Sequence, residues 1–497
     1  MTFREEALDL SEQFRRYCSR TTALSTNWIP NMCIACGPLM NAIRETMAAP
    51  SRRSFLKGSG AALTAGFASR FSCTEVLAQT ETGDTVYAGG PILTMTDAAP
   101  IAEAVLVRAG RIVAVGKRSE VEKQAKAPFT TVDLAGKALL PGFFDPHGHV
   151  VMIGLQSLSA NMLPAPDGEG NDIAALQRLL REWVAKNATA IARYKIIVGF
   201  GYDDSQLAEA RHPTRDDLDA ISTDLPVMLI HQSSHLGALN SKALEIAGVT
   251  AATKDPTGGS FRRKDGGTEP NGVCEETAFF QVVGKLFARF DEDAYLAMIK
   301  AGANFCASFG YTTVQEARAM GPTTAMVAKS AEMNMLPVDV LVFPDILDSA
   351  DAIKPSNIYR NRFRIGGAKL TIDGSPQGKT AYLSKPYFVP PAGRKADYAG
   401  YAAITKKQLD DAFDLAYSRD WQIITHANGD AAVDWLIEAA AKAARKHGGK
   451  NRRPVLIHGQ TTRLDQLPRL KKANIIPSFF PMHTFYWGDW HRDSVLG

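Results

Sequence analysis

The sequence predicts an α/β protein: an incomplete (β/α)8 TIM-like barrel with a small flanking β domain and a large insertion after the first barrel strand. Three observations carry this. From Asp84 to about Leu134 the chain shows short β-rich runs broken by glycines. From Leu139 onward, strand-like runs alternate with amphipathic helical ones, and repeated strand–helix units imply a parallel sheet. The first two barrel-strand candidates, 139–144 and 311–315, stand far apart, which requires an insertion over about 155–285.

The elements follow in chain order. Residues 1–46 precede Met47 and read as an upstream extension. Residues 47–80 read as an export signal: Arg52 and Arg53 before Phe55-Leu56-Lys57, a Gly/Ala-rich run over 58–68, then Val76-Leu77-Ala78 at a small-residue cleavage point. A basic start to a surface helix is the alternative. The arginine pair resembles a twin-arginine motif, which implies a periplasmic or secreted protein. The small β domain is expected over 81–138, with a hairpin turn at Arg108-Ala109-Gly110-Arg111. The barrel is expected over 139–497. Its strand candidates are 139–144, 311–315, 338–343, 368–372, 422–425, 455–457 and 475–479, seven where a closed barrel has eight. The insertion carries helices over 172–186 and over 241–247, the latter closed by Gly248. Thr405 is a plausible N-cap for a helix that lines up Leu409, Ala412, Phe413 and Ala416.

Bulk composition narrows the partners. Hydrophobic residues make up 45%, charged residues 22%, and the formal net charge is +4, an ordinary globular balance. No basic run interleaved with aromatics supports a nucleic-acid partner. No stretch is long and apolar enough for a membrane span. A small-molecule substrate is expected, and a homodimer stays open. Six cysteines, of which only Cys274 and Cys306 follow the export signal, make no disulfide framework. The single Cys33-x-x-Cys36 lacks the further ligands a structural zinc needs.

The chemistry concentrates at Pro141-Gly142-Phe143-Phe144-Asp145-Pro146-His147-Gly148-His149. Two histidines two residues apart point to the same side of an extended chain, so both imidazoles can reach one metal. A lone pair of this kind is as readily two satisfied polar histidines. It does not stand alone: His426 and His458 also end strand-like runs. Strand ends at the C-terminal mouth are where barrel enzymes keep their sites.

These stretches, with Ser234-His235, Leu239 to Leu244, Asp255-Pro256-Thr257-Gly258-Gly259 and the run Lys369-Leu370-Thr371-Ile372-Asp373-Gly374-Ser375, resemble the amidohydrolase superfamily. The similarity is to its amidohydrolase-3 branch, which includes N-substituted formamide deformylase-like proteins, and covers 84–497. The resemblance implies His147, His149, His426 and His458 as metal ligands and Lys369 as a carboxylated lysine bridging two metals. The alternative for Lys369 is an ordinary lysine pairing with Asp373. One or two divalent ions, zinc foremost, are expected. The resemblance further implies His235 near the substrate carbonyl as a catalytic group, and Asp373 and His483 as substrate-binding. His212, His231, His447 and His491 read as surface or structural.

The family's general-base aspartate at the end of strand eight has no counterpart after Phe479, and Asp493 stands too close to strand seven to replace it. On that expectation the runs 475–479 and 139–144 would be unpaired edges and the chain poorly soluble. The resemblance implies a hydrolase cleaving non-peptide C–N bonds, an amide or N-substituted formamide, through a metal-activated water. The rival expectation is an inactive protein that binds metal or ligand without turnover.

Overall fold

The computed structural model describes residues 83–391 and 393–497. The expected upstream extension and export signal lie outside the described residues. The described chain divides into two compact units, 83–146 with 306–314, and 147–305 with 315–497.

In the smaller unit β1 (Thr85–Leu93), β2 (Ile101–Arg108), β3 (Arg111–Gly116) and β4 (Thr130–Asp133) form one sheet in the order β3-β2-β1-β4. The β2–β3 turn is Ala109-Gly110, with φ of 48° and 72°. Two left-handed residues match the right-handed twist of the flanking strands. Strand alternation sends Val86, Ala88, Ala104 and Leu106 to one face, where they bury with Val121. Only Phe143–Phe144 of the expected first barrel strand is a strand, β5, paired in parallel with the start of the strand Tyr311–Ala319. Leu139 bridges Ile92 instead. Pro141 between them has no N–H for a ladder.

The larger unit opens with the insertion. Its strands β6 (Ala160–Asn161), β7 (Ile197–Tyr202), β8 (Val227–His231), β9 (Leu236–Leu239), β10 (Gly259–Arg263) and β11 (Pro270–Glu276) form a sheet in the order β10-β11-β9-β8-β7-β6. Every residue of β7 and β8 is buried. The helix Ile173–Lys186 is capped by the Asp172 side chain, and Ser241–Ala247 is capped by Asn240 and closed at Gly248, φ 67°.

After the insertion come β12 (Tyr311–Ala319), β13 (Asp339–Pro344), β14 (Phe363–Ile365), β15 (Ala368–Thr371), β16 (Ile423–Ala427), β17 (Val455–His458) and β18 (Ile476–Phe479). β15 to β18 form a parallel ladder in chain order. An isolated parallel bridge, Asp345 to Lys369, ties the end of β13 to β15. One face of the ladder, with Leu370, Ile423, Ala427 and Leu456, buries against the helices Lys406–Ser418 and Asp430–His447. Thr405 and Gln408 close a capping box on the first helix, and Leu409, Ala412, Phe413 and Ala416 are its buried face. On the opposite face Ile424 and Ile457 pack with Ala317 and Phe343.

The helix that follows His149, Val150–Leu158, lies close against Glu292–Ser308. Gly154 and Gly302 make this approach possible: a Cβ on Gly302 would strike the carbonyl of Val150, and one on Gly154 the carbonyl of Met298. Alanine is the better helix former by about 1 kcal/mol, yet Gly302→Ala is expected to lower the denaturant midpoint, because overpacking costs about 1–3 kcal/mol. Urea unfolding followed by circular dichroism checks this; a midpoint at or above wild type would show that the two helices part freely.

Candidate metal centre

Strand register decides which side chains meet. Across β15 and β16, Lys369 stands opposite Ile424 and Thr371 opposite His426; across β16 and β17, His426 stands opposite Ile457. Partners in a ladder share a face and successive residues alternate. Lys369 and His426 therefore lie on the face of Ile424 and Ile457, away from the helices. His458, one residue on, would fall on the helix side by the same alternation. Its φ of 71° breaks that rule. The left-handed backbone, uncommon outside glycine, turns the imidazole back toward its neighbours.

The result is a chain of rings. Centroids of His149 and His147 are 5.0 Å apart, His147 and His458 5.0 Å, His458 and His426 4.7 Å, and His426 and His235 4.7 Å. All four histidines expected as ligands are brought together, and His235 joins them from the insertion. Burial, followed by the charges of Lys369 and neighbouring imidazoles, holds His147 well below the usual histidine range. Burial also pushes down His458, with Lys369 and His235 adding to it, and His426, where His235 and His458 add to it. Neutral imidazoles are the form that ligates a metal.

Lys369 is 1% exposed and lies among Arg318, Asp345 and Glu316 rather than in a pair with Asp373. Burial brings its amine down to about 7, Arg318 pushing the same way and Asp345 and Glu316 opposing. A neutral amine is also the nucleophilic form that carboxylation requires.

A buried carboxylate stands beside each of two rings. Glu316, buried within β12, accepts the N–H of Val151 at 2.9 Å and stands 3.7 Å from His149 Nδ1. Glu276, wholly buried, stands 2.7 Å from His235 Nδ1. Its backbone holds φ 49° and ψ −122°, and its N–H donates to the His235 carbonyl at 2.7 Å. Such a conformation costs a non-glycine residue about 1–3 kcal/mol and persists only where the surroundings impose it. Neither glutamate announces itself in the sequence; Glu276 closes its strand and Glu316 lies inside one.

The remaining candidates sit differently. Asp373 has no exposed surface, and its carboxylate accepts the N–H groups of Asn428, Gly429 and Tyr382 at 2.9, 2.8 and 2.9 Å. Burial raises it to about 7 against those three bonds. It braces the turn after His426 and leaves a substrate no open face. His483 opens the helix His483–Trp490 and sits beside Phe480, 6.4 Å from it, which in turn lies 6.0 Å from His458. His447 pairs with Asp414 at the surface end of its helix. His212, His231 and His491 are buried.

His231, Asp203 and Asp204 form a second group whose ligand atoms lie within 4.8 Å of one another. Although burial opposes it, the two carboxylates raise His231 to about 9. Asp203 is already committed to the Ser205 hydroxyl at 2.6 Å, Gln206 at 3.1 Å and the Trp487 indole at 2.5 Å. This network ties the insertion to the helix after β18.

The Lys369 amine yields a linkage prediction. Its folded value of about 7 lies below the unfolded one, so between pH 7 and about 10.4 only the unfolded chain holds that proton, and stability rises with pH across that window. In metal-free, bicarbonate-free buffer, Lys369→Met is expected to be more stable than wild type at pH 6, by about 1–4 kcal/mol, with the gap closing toward pH 10. Urea denaturation of both proteins at pH 6, 8 and 10 tests it; a pH-independent gap would place the charge elsewhere.

The chain matches the amidohydrolase family model over residues 130–497. It is 26% identical over 402 residues to N-substituted formamide deformylase of Arthrobacter pascens, covering 78% of this chain and 71% of the relative. It is 27% identical over 417 residues to putative amidohydrolase YtcJ of Bacillus subtilis (strain 168), covering 81% and 74%. Among solved structures, an uncharacterized metal-dependent hydrolase from Pyrococcus horikoshii OT3 superposes with a TM-score of 0.63 at 23% identity, covering 83% of this chain and 77% of that one. The chain belongs to the amidohydrolase superfamily, in its amidohydrolase-3 branch.

Proposed function

We propose that the protein is a metal-dependent hydrolase of non-peptide C–N bonds, acting on an amide or N-substituted formamide of a small molecule. The observation that carries the reading is the convergence of His147, His149, His426 and His458, from separate parts of the chain, beside a buried Lys369. The relative named N-substituted formamide deformylase supports the substrate class. The parallel strands β12, β13 and β15 to β18 are read as staves of a (β/α)8 barrel with this cluster at its C-terminal mouth. The paired arginines at 52 and 53 support export to the periplasm or beyond.

The residues present suit a divalent metal, zinc foremost, because three of the imidazoles are held neutral. His147, His149, His426 and His458 would hold one or two ions, and a carboxylated Lys369 would offer anionic oxygens between two. When bound, such an ion supplies Lewis-acid polarisation of a carbonyl and makes water a stronger acid. The chain's own residues do the rest. Glu316 orients His149, Asp373 fixes the turn that carries His426, and His235 stands beside His426 to meet the substrate. Phe480 packs edge-on against the His458 ring. Hydrolysis forms a bond from the water oxygen to the carbonyl carbon, breaks the C–N bond and releases the amine with a proton.

The test is amine release from a panel of N-substituted formamides and simple amides by the zinc-loaded full chain. His147→Ala and His458→Ala are each expected to lower kcat/KM at least 100-fold and to reduce bound metal. Lys369→Met is expected to retain at most one ion per chain, read by inductively coupled plasma analysis. Metal content unchanged in His147→Ala, or turnover surviving it, would sink the reading.

A further inference from the structure

The insertion contributes a carboxylate–imidazole pair to the histidine cluster. His235 lies on the turn between β8 and β9, and its Nδ1 stands 2.7 Å from a Glu276 oxygen at the end of β11. The pairing is built from several sides. Strand β11 runs beside β9, with Glu275 opposite Leu236, and the Glu276 N–H donates to the His235 carbonyl. Glu276 is held at a positive φ, 49°, to aim its side chain. Gly374 supplies the space: a Cβ there would strike the other Glu276 oxygen and the Thr380 hydroxyl. The Gly374 carbonyl in turn accepts from Asn428 at 2.8 Å and stands 3.1 Å from His426 Nε2.

Glu276 has no surface, whereas the His235 side chain is 12% exposed and its ring is 4.7 Å from that of His426. No hydrogen bond engages His235 Nε2 among the described residues. A carboxylate accepts only from a protonated nitrogen, so the 2.7 Å contact with Glu276 favours the tautomer with its proton on Nδ1. Nε2 then carries a lone pair and can only accept.

We propose that Glu276 is a positioning residue that holds His235 in the Nδ1–H tautomer, so that Nε2 accepts the N–H of the scissile amide and selects substrates that carry one. The inference rests on the hydrolase reading of the cluster and narrows it to secondary amides and N-monosubstituted formamides. An N,N-disubstituted substrate has no hydrogen to offer and leaves Nε2 unpaired in its complex. A site built to hydrogen-bond a substrate group discriminates strongly against analogues that lack it.

The experiment uses the zinc-loaded full chain, with N-butylformamide and N-butyl-N-methylformamide as probes, and 15N NMR of histidine-labelled metal-free protein to read the tautomer. Wild type is expected to hold His235 as Nδ1–H and to favour the N–H probe by about 100-fold or more in kcat/KM. Glu276→Gln, whose carboxamide oxygen still accepts from Nδ1, retains the tautomer and most of the preference. Glu276→Ala loses both with bound metal unchanged, and His235→Phe loses the preference. A preference intact in Glu276→Ala or His235→Phe overturns the proposal, as does the opposite tautomer in wild type. Metal loss in His235→Phe also overturns it, by making His235 a ligand. Failure of the hydrolase reading looks different: neither probe is turned over by wild type, or turnover survives His147→Ala. The tautomer spectrum then decides the Glu276 assignment by itself.

Discussion

The parallel register of β15, β16 and β17 is the constraint on which the site depends. One shift of a single residue would carry Lys369 or His426 to the helix-packed face. The apolar partners fix the register from both sides. Leu370, Ile423 and Leu456 must bury against the helices, and Ile424 and Ile457 against Ala317 and Phe343. The core therefore enforces the position of the chemistry, and the exception at His458 is local, a left-handed residue in the last pair of β16 and β17.

That arrangement crowds groups that repel one another when charged. Burial and mutual repulsion hold His147, His426 and His458 neutral and bring Lys369 down to about 7. The cluster thus gathers neutral nitrogen donors, with buried carboxylates beside it. The carboxylates of Glu316 and Glu276 stand at the two ends of the ring chain, on His149 and His235, where a carboxylate can fix imidazole orientation.

The insertion is more than a cover. Its hairpin turn and the end of β11 deliver His235 and Glu276 to the cluster, and its Asp203 is bonded by Trp487 from the helix after β18.

The sequence by itself determined the strand–helix alternation, the capping residue Thr405, the stop at Gly248, and the four histidines that meet in space. These are local signals: period, cap chemistry and residues at strand ends. Tertiary structure alone decided what lies far apart in the chain. The insertion's sheet is hidden because β7 and β8 are buried throughout and show no alternation. Asp373, which the sequence offers to substrate, is sealed by three backbone N–H groups from segments at 382 and 428–429. Glu276 and Glu316 gain their roles from contacts 41 and 165 residues away, with His235 and with the Val151 N–H. A carboxylate's role is set by what it faces, and one sequence does not encode that pairing in any local pattern.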